Sequence, residues 1–233
     1  MRNRCVRIMV GISVEDILPL QAASTESCST MDSRSPCAYL AAVLFGAALA
    51  LPVQAAPDAE AHPADAFLAR LAEHCGQAFA GRIVANEPPQ DEDAFSGHEL
   101  IMHVRECSDD EIKVPFHVGD DHSRTWVITR TEQGLRLKHD HRYEDGSDHA
   151  VTWYGGDTAT RGTATRQEFP VDQESIDLFE REGLDASTVN VWAIEIEPGD
   201  RYLYELARPT GRLFQVEFDL TTPVTTPPTP WGH

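Results

Sequence analysis

The sequence predicts a mainly β domain: an antiparallel closed or nearly closed barrel of about 8–10 strands, with a short N-terminal helix and one late short helix. Three observations support this class. Strand-length runs of alternating polarity follow one another, their connectors are short, and those connectors are rich in Gly, Pro and Asp. A two-sheet sandwich is the alternative that fits the same pattern. Hairpin-length links favour the barrel.

The first elements of the domain are a helix and a strand. Phe67, Leu68 and Leu71 recur at helical spacing after Asp65, which is a suitable N-cap, and Gly76 follows as a stop signal. The predicted strands are Ala78–Val84, Leu100–Arg105, Ile112–Val118, Arg124–Arg130, Leu135–Tyr143, His149–Tyr154, Thr163–Phe169, Val189–Ile196, Arg201–Ala207 and Leu213–Leu220.

The remaining segments are a second helix, loops and a tail. Ser175–Glu182 has apolar residues at helical spacing and ends before a glycine, so it is predicted as the late helix. Asn86–Gly97 and Gly155–Arg161 are predicted as loops. A single barrel-like domain is therefore expected at 56–220. The Pro/Thr-rich segment Thr221–His233 is expected to be an extended or disordered tail.

An apolar run at Ala38–Leu51 precedes this domain. Its length suits a secretory signal peptide and is short for a membrane span, which needs about 20 residues. Val53 and Ala55 supply the small residues that predict cleavage after Ala55. We therefore expect a signal peptide at 31–55, a mis-assigned extension at 1–30, and a periplasmic or secreted mature protein.

The cysteines of the predicted mature chain indicate one disulfide. Of the five cysteines, the mature chain keeps Cys75 and Cys107. Two cysteines in an exported chain are expected to form a structural disulfide. A reactive thiol pair is the alternative, but the spacing is not that of a C-x-x-C motif.

The charge of the chain excludes some partners. Acidic residues outnumber basic ones by 38 to 19, which gives a formal net charge of −19. This balance offers no basic surface for nucleic-acid phosphates and disfavours anionic membrane surfaces. No nucleic acid and no stable membrane insertion of the mature form are expected, and the sequence does not indicate an oligomeric state.

The candidate ligand-binding residues lie mainly on one predicted strand. In Leu135–Tyr143, strand alternation places His139, His141 and Tyr143 on the face of the two leucines, which should point inward. A barrel would then carry two imidazoles and a phenol along one interior wall. Twisting at the strand end would instead leave the histidines solvated at the rim. Trp126 and Trp153 are the expected apolar wall of such a cavity.

Three functions follow from these residues. The first is binding of a small ligand inside an exported barrel, with His139, His141, Tyr143, Trp126 and Trp153 as contacts. The second is an enzyme in which the histidine pair acts as general base or metal ligand. The third is an acidic interaction protein of the envelope that attracts a basic partner. No cofactor and no metal site are predicted, because H-x-H alone supplies too few ligands.

Several segments resemble known exported proteins. Glu73–Arg82, Met102–Cys107, Pro115–Asp121 and Leu137–Arg142 are similar to a group of uncharacterised exported bacterial proteins, which implies a periplasmic or secreted setting and no particular activity. The layout of a short helix before the first strand also resembles lipocalin-like and fatty-acid-binding-protein-like barrels. Gly81-Arg82-Ile83 stands here where those barrels have a G-x-W motif. This second resemblance implies a ligand-binding barrel.

Overall fold

The computed structural model describes residues 61–89 and 94–233. The predicted signal peptide and the extension before it lie outside these ranges. The described elements are α1 (Pro63–Ala72), β1 (Ala78–Glu87), β2 (Leu100–His103), β3 (Glu106–Cys107), β4 (Glu111–Val118), β5 (Asp121–Thr131), β6 (Gly134–His141), β7 (Tyr154–Asp157), β8 (Arg166–Pro170), α2 (Gln173–Arg181), a 3₁₀ helix (Asp185–Ser187), β9 (Val191–Glu197), β10 (Arg201–Ala207) and β11 (Leu213–Asp219).

The strands form one antiparallel sheet that curls into a nearly closed barrel. Within the described residues, ten strands follow the order β7-β6-β5-β4-β2-β1-β11-β10-β9-β8, and the short β3 pairs with β4 beside that path. The two end strands approach each other after β8, where the Asp172 amide donates to the Gly155 carbonyl oxygen at 2.9 Å. The predicted fold class is confirmed, including the early and the late helix.

The position of β7 differs from the prediction. The sequence placed a strand at His149–Tyr154 and a loop at Gly155–Arg161, whereas the strand is Tyr154–Asp157. Residues 155 and 156 are both glycine, so half of this four-residue strand has no side chain that could show alternation. Glycine is required here by contacts with strands that are distant in sequence, and a local sequence pattern does not reveal such contacts.

The two glycines allow neighbouring backbones to come close at the barrel seam. A Cβ atom on Gly156 would lie 1.8 Å from the Pro170 carbonyl oxygen, and one on Gly155 would lie 1.8 Å from that of Leu137. Both obstacles are backbone atoms, which cannot move aside as a flexible side chain can. Glycine therefore lets β7 lie against both β6 and the end of β8.

Replacing Gly156 by alanine is expected to lower the free energy of unfolding by about 2–3 kcal/mol, because overpacking against fixed atoms costs about 1–3 kcal/mol or more. Chemical denaturation followed by circular dichroism measures this loss. Ala80→Val is the control: Ala80 is an exposed residue of β1, and its substitution should change stability by less than about 0.5 kcal/mol. Equal stabilities of Gly156→Ala and the wild type would contradict the close approach at the seam.

Helix α1 closes one end of the barrel. Its apolar side, including Phe67 and Leu71, is fully buried, and the helix contacts β4, β6, β8 and β9. The helix begins earlier than the expected N-cap at Asp65: Pro63 is its first residue, and the His62 Nδ1 accepts a hydrogen bond from the Ala64 amide at 3.2 Å. Proline favours the first helical position because its fixed φ suits a helix and it has no amide hydrogen to leave unpaired.

Aromatic rings fill the barrel interior. Trp126, which is 2% exposed, stacks between Phe116 and Tyr204 with centroid distances of 4.9 and 4.5 Å. Tyr202 and Phe218 are fully buried against the same cluster. The centre of the barrel is therefore a packed core.

The predicted disulfide is present. Cys75, just after α1, is bonded to Cys107 at the end of β3. The bond links the helix that closes one barrel end to the wall of the sheet.

The Pro/Thr-rich tail lies extended against the outside of the barrel. The sequence alone predicted either an extended or a disordered tail. The Val224 amide donates to the Ala78 carbonyl oxygen at 2.8 Å, and the Trp231 amide donates to that of His122 at 3.0 Å. The His233 side chain lies 3.2 Å from the Asp140 carboxylate. Burial alone would raise the pKa of Asp140, but hydrogen bonds from His233 and Arg142 lower it to about 2.

Candidate functional site: an aromatic cleft at the barrel mouth

The barrel end opposite α1 contains a cleft of about 220 Å³. Helix α1 lies by the turn between β9 and β10, where the His74 ring accepts a hydrogen bond from the Gly199 amide. The cleft lies at the other ends of these strands, beside α2 and the 3₁₀ helix. Its aromatic lining consists of Phe95, Tyr154, Phe179, Trp192, Tyr204 and Phe214.

The walls come from different parts of the chain. Trp192 and Tyr204 are inward-facing residues of β9 and β10, while Phe179 is a buried residue of α2 whose ring points back at the barrel. Tyr154 begins β7 and its ring lies 5.2 Å from that of Phe179. Leu184, which is 40% exposed, lies at the edge of the cleft. The cleft is thus apolar inside and open to solvent.

His139 lies directly beneath this cleft. Its Nδ1 is 3.1 Å from the Tyr154 carbonyl oxygen, which can only accept, so Nδ1 carries the hydrogen and donates. The Nε2 lone pair then accepts from the Tyr204 hydroxyl at 2.8 Å. Burial lowers the pKa of His139 to about 3, so the ring is neutral at pH 7. Both nitrogens are therefore occupied by the protein itself.

His141 also faces inward, nearer the barrel rim. Its Nε2 is 3.2 Å from the Tyr154 hydroxyl. Burial, followed by the positive charge of Arg124, lowers the pKa of His141 to about 4. Burial raises the pKa of Tyr154 to about 12, which keeps that hydroxyl neutral. The expected inward orientation of the two histidines is therefore what the structure has, but both rings bond to tyrosines.

The other predicted ligand residues lie away from the cleft. Trp126 belongs to the packed core behind Tyr204. Tyr143 and Trp153 are each 46% exposed, so they lie on the surface and not along an interior wall. Tyr143 follows the end of β6, and Trp153 has φ +60°, which turns its side chain out of the strand alternation that the sequence suggested.

A polar group, Arg208, lies at the rim of the cleft. It follows β10 and is half-buried. Its Nε donates to the Asn190 side-chain oxygen at 2.6 Å, and one terminal nitrogen donates to the Ser187 hydroxyl at 3.3 Å. Burial and the nearby charge of Arg212 lower the pKa of Arg208.

Sequence reasoning missed most of this site. Tyr204 and Leu206 alternate inward on β10, and that alternation was the available signal. Phe179 belongs to the apolar spacing that predicts α2, but its place at the cleft depends on how α2 packs against the barrel. Arg208 gave no signal, because its place depends on the packing of a turn. The 3₁₀ helix, which supplies Ser187 to the rim, was not predicted either.

Comparisons with known proteins do not assign the chain to a family. No protein-family model, no curated protein and no solved structure matches the chain. Among residues 61–89 and 94–233, no helix is both long and apolar enough to cross a bilayer. In that same part of the chain, no three metal-ligating side chains converge. The lipocalin-like resemblance therefore stays a prediction.

Proposed function

We propose that this chain is an exported β-barrel protein that binds a small, mainly apolar ligand in the cleft at the barrel mouth. The cleft itself carries the proposal, since six aromatic rings line a concave, solvent-open space of about 220 Å³. Binding sites for small molecules are typically concave and apolar, with a few fixed polar groups. This volume is below the roughly 300–1,000 Å³ of sites for drug-sized ligands, so the ligand is small.

The geometry favours binding over acid–base catalysis by the histidine pair. A general base needs a free lone pair within hydrogen-bond reach of its substrate. His139 is 3% exposed and accepts from Tyr204, so it offers no free lone pair to the cleft. The pair instead fixes the two tyrosines that line the cleft, and in this proposal His139 and His141 act as supports for the site.

Export is the setting that best suits this proposal. The Cys75–Cys107 disulfide would persist in an oxidising compartment and would be reduced in most cytosols. A binding protein in the periplasm or outside the cell also agrees with the leader that the sequence predicts. The high negative charge favours solubility there.

Filling the cleft should abolish binding. We expect the neutral aromatic probe indole to bind the wild type and to bind Leu206→Trp at least about tenfold more weakly, because Leu206 points from β10 into the cleft and a larger ring occupies its space. Isothermal titration calorimetry measures both affinities. Ala207→Trp is the matched control, since strand alternation turns the adjacent residue outward.

The control should bind indole as the wild type does, and circular dichroism should show that both variants fold. If Leu206→Trp bound indole as tightly as the wild type does, indole would bind outside the cleft and the proposed site would be wrong. No heat of binding by the wild type in the millimolar range, where a Kd of 1 mM corresponds to about −4.1 kcal/mol, would contradict an aromatic ligand site.

A further inference from the structure

Arg208 differs in its partners from most of the arginines that the structure describes. Those arginines pair with carboxylates, as Arg166 does with Glu195 at 2.7 Å and Arg136 does with Asp157 at 2.6 Å. Among the described residues, Arg208 contacts no carboxylate. Its hydrogen bonds go to the neutral side chains of Asn190 and Ser187.

These two bonds hold the guanidinium in place without neutralising it. Asn190 is buried, and the Asn190 contact of 2.6 Å is made through Nε. Arg212, which also contacts no carboxylate among the described residues, stands close enough to lower the pKa of Arg208. Placing two like charges near each other costs free energy that a bound anion would recover.

We propose that the cleft selects small aromatic carboxylates, with the aromatic body against its rings and the carboxylate on Arg208. This inference rests on the proposed function and names its ligand class. A planar guanidinium matches a carboxylate and can bind it with two hydrogen bonds. The aromatic walls favour an aromatic body, since ring pairs attract each other beyond the burial of their area.

The test compares phenylacetate with phenylacetamide, which has nearly the same shape and no charge. We expect the wild type to bind phenylacetate at least about tenfold more tightly than phenylacetamide, because hydrogen bonds between charged groups are stronger than those with a neutral partner. Arg208→Gln should reduce the preference for phenylacetate over phenylacetamide to about twofold or less. Arg208→Lys, which keeps the charge but not the fork of donors, should retain part of it.

Arg161→Gln is the matched control, because Arg161 is an exposed arginine outside the cleft and its loss should leave the preference unchanged. Equal affinities of the wild type for the two probes would overturn the inference and leave the proposed function standing. A preference that survives in Arg208→Gln would also overturn it. Binding of neither probe by the wild type would overturn the proposed function together with the inference.

Discussion

Acidification from pH 7 to pH 5 is expected to destabilise the protein steeply. Three histidines are held neutral in the folded state: burial lowers the pKa of His139 to about 3 and those of His117 and His141 to about 4. In the unfolded chain a histidine has a pKa of about 6.5. Below that value the unfolded state binds protons that the folded state excludes, so stability falls as pH falls.

The size of this effect follows from the number of groups. Each histidine contributes up to about 1.4 kcal/mol per pH unit, so three contribute up to about 4 kcal/mol per unit between about pH 6 and pH 4. Domains of ordinary stability have about 5–15 kcal/mol to lose. We therefore expect acid unfolding near pH 5, with full stability above about pH 6.5.

The surroundings of His117 explain why its ring stays neutral. His117 is 2% exposed, its Nδ1 lies 2.7 Å from the His122 Nδ1, and its Nε2 has no hydrogen-bond partner among the described residues. After burial, the nearby charges of His122 and His103 lower the pKa of His117 further, against the opposing charge of Asp121. A protonated ring at this position would be poorly solvated.

Urea denaturation at several pH values measures the dependence. His141→Asn, which keeps a polar group near the Tyr154 hydroxyl, should reduce the slope of stability against pH by about one third. His98→Gln changes an exposed histidine and should leave the slope as it is. A wild type that is equally stable at pH 5 and pH 7 would contradict the neutral state of these three rings.

Removing the disulfide is expected to cost about 3–4 kcal/mol of unfolding free energy. The bond closes a sequence separation of 32 residues, and the loop-entropy relation gives that magnitude for such a length. Most of the effect acts on the unfolded chain, which gains freedom when the link is lost. The double variant Cys75→Ser/Cys107→Ser, measured by thermal and chemical denaturation, reports it.

Reduction supplies an independent check of the same link. Dithiothreitol should lower the stability of the wild type to that of the double variant and should not affect the double variant itself. If the double variant were as stable as the oxidised wild type, the expected stabilisation by the disulfide would be wrong.

The fold could be predicted to a large extent because most of its strands are half-buried and alternate. On β6, Leu135, Leu137 and His139 point inward as period-2 patterning requires. Patterning failed at β7, where Gly155 and Gly156 have no side chains. Patterning also did not predict which outward-facing side chains become buried. Lys138 is one of them, because its ammonium group bonds to Asp172 and Glu174 at the start of α2.

The site was less predictable than the fold. Strand alternation predicted that His139 and His141 face inward, as they do. It could not show that the Tyr204 hydroxyl bonds to the His139 ring, or that the Tyr154 hydroxyl bonds to the His141 ring. Arg208 joins the cleft through contacts with residues about 20 positions away, and only the packed structure brings them together. Local sequence patterns contain no information on such contacts.

The central claim is that the ligand site is the cleft at the barrel mouth. Methyl NMR spectroscopy during an indole titration tests it most directly. We expect the largest shift changes at the methyl groups of Val151, Leu184 and Leu206, which line the cleft. None is expected at Leu135, which pairs with Arg130 of β5 at the barrel end where Arg130 bonds to Asp65 of α1. Shift changes confined to methyl groups outside the cleft, or no changes at all, would contradict the claim.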